Sequence, residues 1–214
     1  RGARALKGAR AALPGKEGGI CPDCEVRLHA GPEPSMVEES RDVTQGKRAM
    51  GFRTGGVTCW EEEYPAMAMC NAVFGGTTLS KLFMNVREKL SLCYYASSTL
   101  EKMKGLILVS SGIEFDKFQQ ARDEILHQLE EIRQGNMEDW ELEGTRRTMI
   151  GAHLATLDVQ ARQEDSWLGQ TAAGLEPGLQ ELVAQREQVT RAPGAPAAPP
   201  PELDPIDSRT GTEG

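Results

Sequence analysis

The order of predicted elements places this chain in the α+β fold class. Between residues 42 and 190, the residue pattern predicts a strand, two helices, two more strands and then a block of helices. This order favours helices packed on one face of a largely antiparallel sheet. The composition agrees, since 39% of the 214 residues are hydrophobic and 5% are aromatic, which is typical of a domain with an aliphatic core.

The proline distribution predicts where the folded part begins and ends. Ten of the twelve prolines lie in residues 1–35 or 191–214. Residues 1–41 are predicted to be a disordered or linker segment, and residues 191–214 a proline-rich, degenerate tail. The run from Arg191 to Pro205 holds six prolines, and their missing N–H groups argue against a helix or a central strand there. We therefore expect one domain over residues 42–190.

Three strands are predicted inside this domain. Arg48–Thr54 ends at a glycine pair, and Leu92–Thr99 is joined to Leu106–Ile113 at Lys104-Gly105. The last of the three is almost continuously apolar, which indicates a strand in the interior of the sheet.

Helices are predicted where apolar residues recur every three or four positions. The clearest case is the series Phe118, Ala121, Ile125, Leu129 and Ile132. The predicted helices are Glu61–Val73, Leu79–Lys89, Asp116–Gln134, a helix capped by Asn136 that runs through Trp140 toward Leu157, and Val159–Ala173.

Charge and cysteine content limit the functional classes. With 24 basic and 32 acidic residues, the net charge of −8 disfavours a general nucleic-acid binder. No apolar run approaches the roughly 18 residues that would cross a bilayer. The first sixteen residues lack the apolar stretch of a secretory signal, and five cysteines form no evident disulfide framework. We expect a reduced, cytoplasmic chain with no membrane partner.

A CxxC motif near the start of the chain is the most tempting candidate metal site. Cys21 and Cys24 have the spacing of a zinc-binding pair, and His29 could add a third ligand. A structural zinc site needs four ligands, however, and no second pair follows at the usual distance. The prediction is that this chain binds no metal. A binding module that uses this motif and the basic residues Arg4, Lys7 and Arg10 for nucleic acid remains the alternative hypothesis.

Two further motifs have simpler structural explanations. His127-Gln-Leu-Glu130-Glu131 resembles an inverted zinc-peptidase motif, but Glu131 stands where the second histidine would be. Gly75-Gly76 could cradle a phosphate, but it lacks the lysine placement of a P-loop and is better explained as a turn between helices.

The segment from Phe74 to Tyr94 carries the most specific pattern. It contains Gly75-Gly76, then Ser80-Lys-Leu-Phe83, then Arg87-Glu-Lys-Leu-Ser-Leu-Cys-Tyr94. This pattern resembles the C-terminal domain of the insulinase (pitrilysin-type) zinc peptidases, over about residues 42–190. It departs at Ser91, where the family usually has glycine. The resemblance is closest to bacterial members associated with modification of elongation factor P, in which one subunit often lacks the zinc centre.

The resemblance implies a ferredoxin-like α+β unit that pairs with a homologous unit around a peptide. The zinc motif belongs to an N-terminal unit, so zinc is expected in a partner domain or subunit and not in this chain. Arg87 and Tyr94 match the family pair that reaches the substrate, and both side chains can donate hydrogen bonds to a carbonyl oxygen. We expect both to project toward the same concave face.

We therefore expect a non-catalytic fragment or pseudopeptidase unit, working as a heterodimer, that binds a peptide or protein substrate and supports hydrolysis by its zinc-bearing partner.

Overall fold

The sheet has five strands. The computed structural model describes residues 35–40, 45–175, 179–189 and 205–212. The strands are β1 (Ser35–Ser40), β2 (Gly46–Arg53), β3 (Cys93–Glu101), β4 (Leu106–Ile113) and β5 (Pro205–Thr212), arranged in the order β1-β5-β2-β4-β3.

Six helices accompany these strands within the described residues. They are α1 (Tyr64–Asn71), α2 (Leu82–Lys89), α3 (Phe118–Arg133), α4 (Asp139–Thr156), α5 (Gln160–Ala173) and α6 (Leu179–Gln188). Helix α1 continues into a π-helical turn over Ala72–Gly76, α2 itself is π-helical, and a short 3₁₀ turn over Phe115–Lys117 precedes α3. π-helical segments are rare and recur at functional sites.

Most strand pairs are antiparallel. Strand β4 pairs antiparallel with β2 on one side and with β3 on the other, so it lies inside the sheet, as its apolar sequence predicts. Strand β5 runs antiparallel to β2 and parallel to β1. The predicted α+β class is confirmed.

The core lies between the helices and one face of the sheet. Phe52, Ala96 and Val109 point to this face from β2, β3 and β4, and they pack with helical residues such as Val73 and Ile125. The side chains that alternate with them, such as Leu108, are exposed on the opposite face. Within the described ranges, no helix is both long and apolar enough to cross a membrane.

Two strands fall outside the predicted domain of residues 42–190. Strand β1 lies in the stretch assigned to the linker, and β5 lies in the proline-rich tail. Pro205 is the first residue of β5, a position where the missing N–H is tolerated. Residues 206–212 contain no proline and pair with β1 and β2. Pairing of residues distant in sequence thus supplies a strand that local composition does not suggest.

The start of α4 also differs from the prediction. The expected N-cap was Asn136, but the helix is capped at Glu138. The backbone N–H of Glu138 donates to Oε2 of Glu141 at 2.8 Å, which is half of a capping box. Met137 is buried in the core, and this burial fixes the entry of the chain into the helix two residues later than the Asn136 signal suggests.

Candidate functional site

The turn between α2 and β3 brings the two predicted site residues to one cleft. Arg87 lies near the end of α2, and Tyr94 is the second residue of β3. Both line an open cleft of about 420 Å³. The full lining is Arg87, Glu88, Ser91, Leu92, Cys93, Tyr94, Glu114 and Lys117.

Ser91 shapes this turn through an unusual backbone conformation. Its φ of 49° lies in the left-handed region, and it is the only non-glycine residue with a positive φ in the described part of the chain. The N–H of Ser91 donates to the carbonyl of Arg87, and the N–H of Leu92 donates to the carbonyl of Val86. These bonds end the helix with a left-handed C-terminal motif. The left-handed residue of such a motif, here Ser91, is usually glycine. The departure from the family pattern at Ser91 therefore falls on a strained residue.

A β-bulge directs Tyr94 away from the regular strand alternation. Cys93 pairs with Ile113 and Tyr95 pairs with Gly112, so Tyr94 is an extra residue without a partner on β4. Tyr94 and Tyr95 are consequently both exposed. The ring of Tyr95 lies over Gly112, whereas Tyr94 reaches toward Glu114. Bulges commonly re-aim a side chain in this way.

The guanidinium of Arg87 is held by two neighbours on its own helix. Its Cζ lies 4.7 Å from the centroid of the Phe83 ring, and its Nε lies 3.6 Å from Oε1 of Glu88. The side chain is still 40% exposed. Stacking on an aromatic ring restrains the guanidinium plane and leaves its edges available for hydrogen bonds.

A chain of polar contacts holds Tyr94. The phenol oxygen lies 3.2 Å from Oε1 of Glu114, and the other carboxylate oxygen of Glu114 lies 2.8 Å from Nζ of Lys117. Nζ of Lys117 also donates to the carbonyl of Ser91 at 3.4 Å. The hydrogen bond from Lys117 lowers the pKa of Glu114, and the hydrogen bond to Glu114 raises the pKa of Tyr94.

Sequence reasoning missed Glu114 and Lys117. Glu114 precedes the 3₁₀ turn after β4 and Lys117 is its last residue; polar residues are ordinary in such a turn, and no motif marks them. Their relevance comes from the sheet register, because Cys93, next to Tyr94, is paired with Ile113, next to Glu114.

A second cleft of about 450 Å³ adjoins the first and shares Arg87 with it. It runs between the Gly75–Thr78 turn and the exposed residues Tyr95 and Ser97 of β3. The Gly75-Gly76 pair, predicted as a turn between helices, instead forms the last two residues of the π-helical turn, and the connection to α2 follows over residues 77–80.

The residues considered as metal ligands do not assemble into a site in the described ranges. Cys21, Cys24 and His29, like the basic arm, lie outside the described residues. Cys59, Cys70 and Cys93 are free thiols, and burial raises the pKa of each of them. No group of three or more His, Cys, Asp or Glu side chains that could hold a metal ion occurs in the part of the chain that the structure describes. The residues described do not fit the zinc centre of a peptidase.

Comparison with known proteins gives the family. The model of the peptidase M16 inactive domain matches residues 19–149. The probable inactive metalloprotease YmfF of Bacillus subtilis is 37% identical over 182 residues, which cover 85% of this chain and 42% of YmfF. The uncharacterized zinc protease YmxG of the same organism is 24% identical over 124 residues, covering 57% of this chain and 30% of YmxG.

Solved structures show the same fold. A conserved protein from Enterococcus faecalis superimposes with a TM-score of 0.76 and 27% identity, over 87% of this chain and 44% of that one. A peptidase M16 inactive domain from Pseudomonas fluorescens gives a TM-score of 0.69 at 15% identity, over 86% and 45% of the two chains. The chain therefore spans less than half the length of these relatives. Because the family model matches more than half of its length, the chain belongs to the peptidase M16 family and corresponds to its inactive domain.

Proposed function

We propose that this chain holds an extended peptide in the cleft between α2 and β3 and presents it to a zinc-bearing unit of the same family. The placement of Arg87 and Tyr94 on one cleft is the observation that supports this proposal. The partner would be an N-terminal domain or a homologous subunit, and that partner would carry the zinc and the hydrolytic chemistry. A connection to modification of elongation factor P stays a prediction of the sequence resemblance.

The cleft has the chemistry for binding a peptide backbone. A guanidinium offers only donors, so Arg87 is suited to a peptide carbonyl. During hydrolysis this oxygen becomes an oxyanion, and a positioned cation then contributes more to the transition state than to the bound peptide. The neighbouring apolar surface of Phe83 and Tyr95 suits side chains of the same peptide.

Peptide binding tests the proposal on this chain alone. Fluorescein-labelled decapeptides that tile casein would be titrated with the protein, and binding followed by fluorescence anisotropy. We expect a subset to bind, and we expect Arg87→Ala to weaken the tightest binder about tenfold, since a hydrogen bond to a charged group contributes about 1.5–3 kcal/mol. Arg147→Ala is the matched control, because the Arg147 side chain is 78% exposed and lies on α4.

Turnover in the complex with the zinc-bearing unit tests the second part of the proposal, that the chain presents the bound peptide for hydrolysis. Arg87→Ala should lower kcat by about 10²–10³, the usual cost of one lost donor to an oxyanion. Arg87→Lys should restore little, because an ammonium cannot reproduce the planar guanidinium. The proposal fails if no casein peptide binds, or if Arg87→Ala and Arg147→Ala leave binding and turnover equally unchanged.

A further inference from the structure

We propose that Asn85 and Gln128 are positioning residues that fix the rotation of α2 about its axis and thereby the direction of the Arg87 side chain. The inference rests on the proposed function, because it concerns how Arg87 is held at the cleft. It gives a role to two amide side chains that line neither of the two clefts.

Two hydrogen bonds connect α2 to α3 and form what we call the amide ladder, made of Asn85, Gln128 and Glu124. Nδ2 of Asn85 donates to Oε1 of Gln128 at 2.8 Å, and Nε2 of Gln128 donates to Oε1 of Glu124 at 2.7 Å. Gln128 is only 6% exposed, so water competes little for its amide. Leaving a buried amide without partners is costly, and the ladder therefore holds its geometry.

Glu124 sets the polarity of the amide ladder. A carboxylate offers only lone pairs, so the NH₂ group of Gln128 must point toward Glu124. The carbonyl oxygen of Gln128 then points toward α2, and only a donor at position 85 can bind it. Asparagine meets this requirement, and aspartate, which has the same shape, does not.

Asn85 is the residue at which the amide ladder meets the end of α2. Its backbone carbonyl accepts from the N–H of Leu90, five positions later, at 3.1 Å, and this spacing is the one that defines a π-helix. Leu82 and Val86 anchor α2 in the core, and both are fully buried. Apolar contacts have no preferred direction, whereas a hydrogen bond does, so the ladder restrains the rotation of the helix where apolar packing does not.

The direction of Arg87 depends on this restraint. Its own neighbours, the Phe83 ring and Glu88, belong to the same helix and move with it. Residues two positions apart do not share a helix face, so a bond from Asn85 to α3 turns Arg87 away from α3 and toward the cleft that it lines. The ladder thus ties the guanidinium to a second helix through Asn85.

Reversal of the amide ladder tests the inference. Asn85→Asp places a carboxylate against the oxygen of Gln128 and breaks the ladder. Adding Glu124→Gln lets Gln128 turn over, so that it donates to the carboxylate at position 85 and accepts from the new amide on α3. Both substitutions keep the size of the side chain, and the double variant has the net charge of the wild type. Gln119→Glu is the matched control, because Gln119 donates to Asp123 in the same way at an exposed site of α3.

Peptide binding gives the first readout. We expect Asn85→Asp to weaken the tightest casein decapeptide about fivefold, the value of one hydrogen bond, and the double variant to bind within about twofold of the wild type. Gln119→Glu should bind as the wild type does. In the Arg87→Ala background, Asn85→Asp should cause no further loss, because the ladder acts through Arg87. A merely structural role of Asn85 would give the same loss in both backgrounds.

The mobility of Arg87 gives a second readout, which needs no peptide. The order parameter of its Nε–H, obtained from ¹⁵N relaxation, should fall in Asn85→Asp and recover in the double variant. The same quantity for Arg147, whose Nε donates to Glu143 on α4, should stay unchanged. The Arg87 resonance is identified by its absence from the spectrum of Arg87→Ala.

These readouts separate failure of the inference from failure of the proposed function. If Arg87→Ala weakens peptide binding but Asn85→Asp does not, or if the double variant binds as weakly as Asn85→Asp, only the inference is wrong. Equal losses from Asn85→Asp in the wild-type and Arg87→Ala backgrounds would also overturn it. If no casein peptide binds the wild-type protein, the proposed function is wrong, and an unchanged order parameter of Arg87 in Asn85→Asp would then refute the inference as well.

Discussion

Replacement of Gly75 by alanine should destabilise the protein by about 3 kcal/mol. A Cβ at this buried position would lie 2.6 Å from the backbone nitrogen of Ser98, 2.7 Å from its Oγ and 2.8 Å from Cδ1 of Leu82. The nearest atom belongs to the backbone of β3, which cannot move without disturbing the sheet. Overpacking of this kind costs about 1–3 kcal/mol.

A displaced hydrogen bond adds to this cost. Oγ of Ser98 donates to Asn71, with its Oδ1 at 2.8 Å and its backbone oxygen at 3.2 Å, and these contacts join β3 to the end of α1. Loss of that bond would contribute about 1 kcal/mol more. The total corresponds to a fall in Tm of about 6–12 °C for a chain of this size.

Thermal unfolding followed by circular dichroism measures this effect. Gly151→Ala is the matched control, since Gly151 is exposed on α4 and its added Cβ would have no atom within 4 Å apart from its chain neighbours and the backbone of its own helix. Alanine there should raise the Tm by about 2–4 °C, because glycine inside a helix costs about 1 kcal/mol. A Tm of Gly75→Ala within 2 °C of the wild type would show that the contact between the Gly75 turn and β3 is not rigid, and would refute the reasoning.

Three further predictions concern the same region. Ser91→Gly should stabilise the protein by about 1 kcal/mol in urea unfolding, because it relieves the left-handed strain; a loss of stability would mean that the Ser91 side chain contributes more than the strain costs. Lys81→Met should cost about 3–5 kcal/mol, since it leaves the carboxylate of Glu141 buried without its cation at 3.1 Å; adding Glu141→Gln should recover part of this, and no recovery would argue against a charge effect. Burial raises the pKa of Cys93 to about 11 from an ordinary 9.0, so alkylation by iodoacetamide at pH 7.5 should be about a hundredfold slower than for a peptide thiol, and labelling at the peptide rate would contradict that burial.

Local sequence patterns predicted the central elements of the fold well. The apolar run Leu106–Ile113 gives β4 with its observed bounds, and the three-to-four spacing that ends at Ile132 gives α3. Each element buries apolar side chains along one face, and such a face is the property that periodicity detects.

Local sequence patterns did not predict the elements that are stabilised by residues distant in the sequence. Strand β5 is formed by pairing with β1 and β2, and α6 was not predicted. Helix α6 is held through Arg146, whose guanidinium donates to the carbonyls of Glu187 and Val189. The residue pattern of the short, polar α6 segment does not reveal hydrogen bonds of this kind from another helix.

The candidate site was likewise predicted only in part. A specific motif identified Arg87 and Tyr94, and the structure places both on one cleft. The bulge at Tyr94 and the contact with Glu114 depend on the register between β3 and β4. Register is set by the whole sheet, so one strand's sequence does not disclose it.

The position of β5 between β1 and β2 has a consequence for biosynthesis. Among the described strands, the last one fills the space between the first two, and it pairs with β1 across roughly 170 residues of sequence. While the ribosome is still translating the helices, β1 has no neighbour with which to pair, and one edge of β2 is open. The sheet can close only after residues 205–212 have left the exit tunnel. Folding of the whole sheet is therefore expected to wait for synthesis of residues 205–212, and a nascent chain that stalls before residue 205 would expose two unpaired strand edges to chaperones and to aggregation.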